Sequence, residues 1–236
     1  MTKDRILILY DNRTDKSDLQ PGWGFSALIE LKGHRVLFDT GADKLVLERN
    51  AAALGIDLAS TDALVLSHEH CDHIGAITSA LHKNLEVFYP ASFNTLFQGE
   101  VSGEEGWHAH PVSQPVEILP RFHSTGELGK KVVEQSLIVK GDEGPVLITG
   151  CAHPGIVEIA RVATDIVGEP LRLVLGGFHL YGKVKAEVEK IAADLKRIGV
   201  KQIAPCHCTG ERAMELLERT FGKRYLVVKV GSEVRI

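Results

Sequence analysis

The stretch Leu64-Val65-Leu66-Ser67-His68-Glu69-His70-Cys71-Asp72-His73-Ile74-Gly75 constrains the fold more than any other part of the chain. Its apolar, partly β-branched opening reads as a buried strand of an α/β protein. Three histidines and an aspartate then fall within six residues, and Gly75-Ala76-Ile77 leads into a helix-like segment over roughly 74–83. In extended backbone alternate side chains share a face, so His68 and His70 can point at one spot. Asp72 and His73 follow as the chain turns towards the helix, and can face a second spot beside the first. Neutral imidazoles with a carboxylate suit zinc, iron or manganese. A solvated polar loop with a chance histidine cluster is the bland alternative, and the metal reading is the stronger.

Composition bounds the rest. At 236 residues, 44% hydrophobic and 25% charged, the chain reads as one α/β domain spanning 1–236 with an ordinary globular core. A net charge of −4 offers no general attraction to nucleic acid or an acidic membrane surface. No apolar run approaches the length of a membrane span. The start, Met1-Thr2-Lys3-Asp4-Arg5, runs into Ile6-Leu7-Ile8-Leu9, too short for a signal peptide's apolar region, so a cytoplasmic home is expected. Cys71, Cys151, Cys206 and Cys208 each lie within two residues of a histidine. A disulfide framework is not expected in such a chain, and the cysteines read first as small buried residues beside a site. A thiolate ligand or redox-sensitive thiol is the minority reading.

Taken in order, 5–10, 25–31 and 35–38 read as strands, with Lys32-Gly33 as a hairpin turn. Leu45, Val46 and Leu54 mark a helix closed by Gly55, and 62–67 is the strand feeding the histidines. From about 90 to 132 the periodicity fades, which predicts a long irregular segment whose aromatics either wall a substrate pocket or pin the loop to the core. Strands resume at 135–140 and 145–149, then a helix over 156–167 and a strand at 172–175. Val184, Val188, Ile191, Leu195 and Ile198 mark one face of an amphipathic helix. A strand at 201–204, a helix over 210–221 and two short C-terminal strands complete the chain. Histidines recur where a strand hands over to a helix or turn: at 68–73, 153, 179 and 207. Ligands of open α/β sheets gather at the carboxyl ends of strands, so one shared site built from remote parts of the chain is expected.

The run His68-x-His70-x-Asp72-His73, with Leu37-Phe38-Asp39-Thr40-Gly41 before it and later histidines at strand ends, resembles the metallo-β-lactamase superfamily. Further segments are similar to one branch of it, the 7,8-dihydropterin-6-yl-methyl-4-(β-D-ribofuranosyl)aminobenzene 5′-phosphate synthases and their relatives. They are Tyr10-Asp11-Asn12, Gly24-Phe25-Ser26, Gly150-Cys151-Ala152-His153-Pro154-Gly155, Gly177-Phe178-His179-Leu180 and Pro205-Cys206-His207-Cys208-Thr209-Gly210. The resemblance implies an αββα sandwich of two mixed sheets with helices outside. It implies one or two divalent metal ions, zinc first and iron or manganese as alternatives. His68, His70 and His153 would hold one ion, and Asp72, His73 and His207 the second. Asp39 would orient a ligand imidazole or the loop. The superfamily usually has an aspartate at the strand end before the final histidine, bridging the two ions. Here that place reads Gly176-Gly177-Phe178-His179, with no carboxylate. His179 then either serves as a ligand or faces substrate as an acid or base. With no anionic bridge two dications repel more, so one firm ion and one weak or absent ion is a further expectation.

The activity implied is that of a metal-dependent hydrolase, or of a synthase joining a pterin to an aminobenzene ribotide. Its substrate would be a small molecule, phosphorylated in the synthase case. If a single ion binds, Asp72 becomes the natural general base. Lys130, Lys131, Arg121 and Arg161 are candidates for holding a phosphate. The alternative from another class is a non-catalytic metal or redox sensor on the same scaffold, with the cysteines as its response element. Nucleic-acid processing and a flavin-linked di-iron centre are disfavoured, since the chain has neither a basic surface nor room for a further domain. A homo-oligomer stays open.

Overall fold

The computed structural model describes residues 4–101 and 106–236. Met1–Lys3, part of the start read above, and 102–105, part of the 90–132 segment, lie outside the described residues. The chain divides into two compact units. One contains the described residues of Met1–Gln114 with Lys229–Ile236, and the other is Pro115–Val228.

The first unit is built on a seven-stranded mixed sheet. Three antiparallel neighbours, β1 (Arg5–Tyr10), β2 (Ser26–Leu31) and β3 (His34–Phe38), are followed by β4 (Ala63–Val65), β5 (Glu86–Pro90) and β6 (His108–Val112). β3, β4, β5 and β6 run parallel, and the C-terminal strand β13 (Glu233–Arg235) pairs with β1 at the other edge. Leu7, Leu9, Leu28, Leu37 and Leu64 alternate onto one face and bury there against Val46, Leu47 and Ala51 of α1 (Lys44–Ala53). Asp43 caps α1, its side chain accepting from Leu45 and Val46 N–H.

The second unit carries a six-stranded sheet in the order β12-β11-β10-β9-β8-β7. The hairpin β7 (Val116–Leu119) and β8 (Phe122–Ser124) leads to β9 (Leu137–Gly141) and β10 (Gly144–Thr149), all antiparallel. Then β10, β11 (Leu173–Gly177) and β12 (Gln202–Cys206) run parallel. Ile138, Leu147, Val174 and Ile203 bury against α4 (Ile156–Val167), α5 (Lys185–Arg197) and α6 (Glu211–Phe221). On α5 Val188, Ile191 and Leu195 form the expected face, while Val184, exposed, and Ile198 flank the helix as its cap residues. Two mixed sheets with packed helices meet the α/β expectation. No helix among the described residues is long and apolar enough to cross a membrane.

Three local expectations are corrected. The segment 74–83 is not one helix: α2 (Cys71–Ile74) stops after a single turn, and a 3-10 turn covers Ile77–Ser79. The 90–132 segment is not irregular, for it holds α3 (Thr95–Val101), β6, β7 and β8. Phe93 and Phe97 are buried with Tyr89, ring centroids 4.8–5.9 Å apart, so these aromatics pin the segment to the core. Only one C-terminal strand forms, because the residues before it pair too briefly: Tyr225 makes a single isolated bridge to Ile203 of β12, with Leu226 N–H bonding Ile203 O, and Val230 N–H bonds Arg13 O in a loop.

Close backbone approach fixes α2. A Cβ on Gly75 would stand 2.3 Å from Ala42 O and 2.5 Å from Cys71 O. Gly75 has ordinary helical φ, so its requirement is space alone. Gly75→Ala is expected to destabilise the protein by about 1–3 kcal/mol. Urea unfolding measures this, and an unchanged midpoint would show that the contact gives way freely.

Candidate functional site

In the first unit the site begins with Asp39, one residue past β3 and wholly buried. Its Oδ1 accepts from Ser67 N–H at 2.7 Å. Its Oδ2 accepts from Ser67 Oγ and from His73 Nδ1, both at 2.7 Å. A carboxylate only accepts, so Nδ1 of His73 carries the proton and Nε2 carries the lone pair. The same logic passes through Ser67. Its one hydroxyl proton goes to Asp39, so its oxygen accepts from His68 Nδ1 at 2.9 Å, and His68 Nε2 also presents a lone pair. That nitrogen lies 3.0 Å from His70 Nδ1. The two atoms either share a proton or turn lone pairs to one cation.

The backbone reinforces this. Asp39 N–H bonds Val65 O, Thr40 N–H and Oγ1 both bond His73 O, and Ser26 Oγ bonds Asp39 O. Asp39 itself sits at φ 54°. Left-handed backbone at a non-glycine residue is costly and persists only where its surroundings hold it. Asp72 lies with its Oδ2 3.8 Å from His73 Nε2, its side chain 15% exposed.

In the second unit the parallel strands β10, β11 and β12 deliver four residues from their carboxyl ends. Beyond β10 come Cys151 and His153, beyond β11 His179, and directly after β12 His207. Ala152, His179 and His207 all have left-handed φ, at 62°, 51° and 48°. Thr149 Oγ1 donates to Gly177 O, and Thr209 Oγ1 donates to Cys206 O while accepting from Phe178 N–H, which ties the strand ends together. Gly177 leaves the space needed, since a Cβ there would meet Gly150 O at 2.3 Å and Cys208 Sγ at 2.6 Å.

The group that sequence reasoning missed is Glu134. It is buried, and its Oε1 accepts from Cys151 N–H at 3.0 Å and Ala152 N–H at 2.9 Å. Its Oε2 accepts from His153 N–H and from His153 Nδ1, both at 3.0 Å. Glu134 therefore does for His153 what Asp39 does for His73, fixing the proton on Nδ1 and the lone pair on Nε2. The signal available was a lone acid just ahead of an apolar strand, with its partners 17–19 residues away.

His207 Nε2 lies 3.4 Å from Cys151 Sγ. His179 packs its ring against His153, centroids 4.5 Å apart. Cys151, His179 and Cys208 each offer one ligand atom, all within 4.8 Å of one another. Hydrogen bonding to Cys208 raises His179 above the usual imidazole range, against burial, which lowers it. The Cys208 thiol is drawn down to about 5, first by its hydrogen bond with Cys151, against burial, with His179 and the charge of His207 adding to the shift. Cys151, Cys206 and Cys208 are buried and unbridged as expected, but Cys71 is exposed, because it opens α2 at the surface. A cleft of about 600 Å³ in this unit is lined by Lys130, Lys131, Val132, His153, Pro154 and His179, among others. Of the proposed phosphate binders, it includes the two lysines and neither Arg121 nor Arg161.

The donor chemistry fits a divalent cation in both units: His73 and His153 each present an Nε2 lone pair backed by a buried carboxylate, and His68 does so through Ser67. His68, His70, Asp72 and His73 gather in one unit, and His153, His179 and His207 in the other. Comparison with known proteins agrees with this chemistry. The family model of the metallo-beta-lactamase superfamily matches residues 20–84. A protein of Methanocaldococcus jannaschii named 7,8-dihydropterin-6-methyl-4-(beta-D-ribofuranosyl)-aminobenzene-5'-phosphate synthase is 26% identical, over 91% of this chain and 91% of its own. An uncharacterized protein of the same organism is 27% identical, over 91% and 94%. The crystal structure of Tm1679, described as a metal-dependent hydrolase of the beta-lactamase superfamily, is 28% identical over 98% of both chains, with a TM-score of 0.77.

The two buried carboxylates generate a direct prediction. Asp39→Asn and Glu134→Gln keep shape but put an amide N–H₂ against donors. Each is expected to cost about 2–4 kcal/mol of stability and to weaken metal binding about 10- to 100-fold. Denaturant titration and competition with a metal chelator read the two effects. Unchanged values in both would remove these residues from the site.

Proposed function

We propose that this chain, which carries the metallo-β-lactamase fold, is a metal-dependent enzyme acting on a small phosphorylated substrate. The reading is hydrolytic or condensing, as the names of its relatives suggest. His68, His70 and His153 would hold one divalent ion, and Asp72, His73 and His207 a second, within a single functional domain of 236 residues. The observation that carries the reading is the pair of buried acids, Asp39 and Glu134, each spent on fixing the tautomer of a histidine. Burying a carboxylate is expensive unless it is well bonded, and here the bonds that satisfy both acids also fix a histidine.

Bound there, a divalent cation supplies Lewis acidity and a source of nucleophilic oxygen near neutral pH. The chain's own groups do the rest. With only the first ion bound, Asp72, partly exposed beside His73, is free to accept a proton from the attacking group. His179, at the cleft, donates to or accepts from a leaving oxygen. Lys130 and Lys131 supply the positive charge that a phosphate needs, and Val132 and Pro154 offer an apolar wall for a ring. A second reading, a metal or redox sensor, is favoured by the close thiol pair Cys151 and Cys208. A sensor would change conformation with metal or oxidant and turn over no ester.

The test pairs metal content with turnover. Purified protein is assayed by elemental analysis and against phosphomonoesters, phosphodiesters, carboxylic esters and the pterin-plus-ribotide condensation. Turnover of a phosphorylated member is expected, abolished by chelation and restored by added metal. His68→Ala and His70→Ala are expected to lose most bound metal and all such activity. Full metal occupancy in those variants would refute the ligand assignment, and turnover indifferent to chelation would refute the metal mechanism.

A further inference from the structure

The expected ligand set is short of negative charge, since 176–179 offers no carboxylate and the histidines of the second unit are neutral donors. Glu134 does not fill the gap, because both its oxygens are taken by Cys151, Ala152 and His153. The sulfur of Cys151 is placed differently. It lies 3.4 Å from His207 Nε2, and both residues are buried. Cysteine and histidine bonds to zinc of about 2.3 and 2.05 Å, at a tetrahedral angle, put sulfur and nitrogen about 3.5 Å apart. The observed separation matches that span. It equally suits an S–H···N hydrogen bond, in which the proton holds the position that the cation takes over.

We infer that Cys151 is a ligand, its thiolate binding the same ion as His207 and supplying the anionic donor that the strand end at 176–179 lacks. The inference rests on the metal reading above. As the sulfur–metal bond forms, the thiol proton leaves to solvent and no redox change occurs. A thiolate with imidazoles favours a softer transition ion such as zinc, cobalt or iron(II) over manganese or magnesium. Cys208 is the natural control. Its sulfur meets Cys151 O at 3.5 Å, and its hydrogen-bonding partners are Cys151 and His179, so it is the neighbouring thiol from which Cys151 must be distinguished.

Cobalt(II) substitution provides the test, because a thiolate bound to cobalt gives an intense near-ultraviolet charge-transfer band. The wild-type protein loaded with cobalt is expected to show the band. Cys151→Ser is expected to lose it and to bind the second equivalent about 10- to 100-fold more weakly. Cys208→Ser is expected to keep it. Zinc-edge X-ray absorption of the unaltered protein gives a readout free of folding effects, with a sulfur neighbour expected at about 2.3 Å. Cobalt or zinc bound without a sulfur signature, or a band lost in Cys208→Ser and kept in Cys151→Ser, would overturn the inference and leave the metal reading standing. No cobalt or zinc bound at all would overturn both.

Discussion

In each unit the candidate ligands depend on one buried carboxylate gripping the Nδ1–H of a histidine. Asp39 accepts from Ser67 and His73, and Glu134 from Cys151, Ala152 and His153, so each carboxylate holds one imidazole. The consequence is chemical rather than merely structural. An imidazole free to choose its tautomer presents a lone pair from either nitrogen, whereas one held this way presents it only from Nε2. In the first unit Ser67 extends the effect to His68 by passing on its single proton. A metal-binding face is thus set by groups that need never touch a metal.

The sheets put these groups in place, and the cost appears in the backbone. Parallel strands align their carboxyl ends, so residues distant in sequence leave each sheet at one edge. The turn from strand to site is then sharp enough to force left-handed φ on Asp39, Ala152, His179 and His207. Such strain lasts only where it is over-determined by contacts, as it is here by Thr40, Thr149, Thr209 and Ser26. Packing of the helices on the buried face of each sheet supplies the stability against which this strain is held.

How much of this was legible in the sequence depends on how local each signal is. His68 to His73 are contiguous and follow an apolar strand, so ligand types and spacing could be read directly. Asp39-Thr40-Gly41 was legible as the end of a strand, but its bond to His73 spans 34 residues and only the resemblance suggested it. Glu134 carries no motif, and its partners are set by tertiary folding alone. Segment 90–132 was misread because its elements are short and one strand contains Pro111. A proline is tolerated there because β6 is the edge strand of its sheet. The helix expected over 74–83 ends at Gly75, because Ala76 N–H bonds Gly41 O instead of continuing the helical ladder. The cysteines were legible as neighbours of histidines, yet only the fold distinguishes buried Cys151, beside an imidazole, from exposed Cys71.

The proposed function requires His68, His70 and His153 to serve one ion. Anomalous scattering from crystals of the metal-loaded protein, recorded at the absorption edge of the bound metal, tests it most directly. The account predicts an ion with His68, His70 and His153 as neighbours at about 2.0–2.2 Å. An ion bound by the 68–73 cluster with His153 and His207 both remote, or scattering only at surface sites, would contradict it.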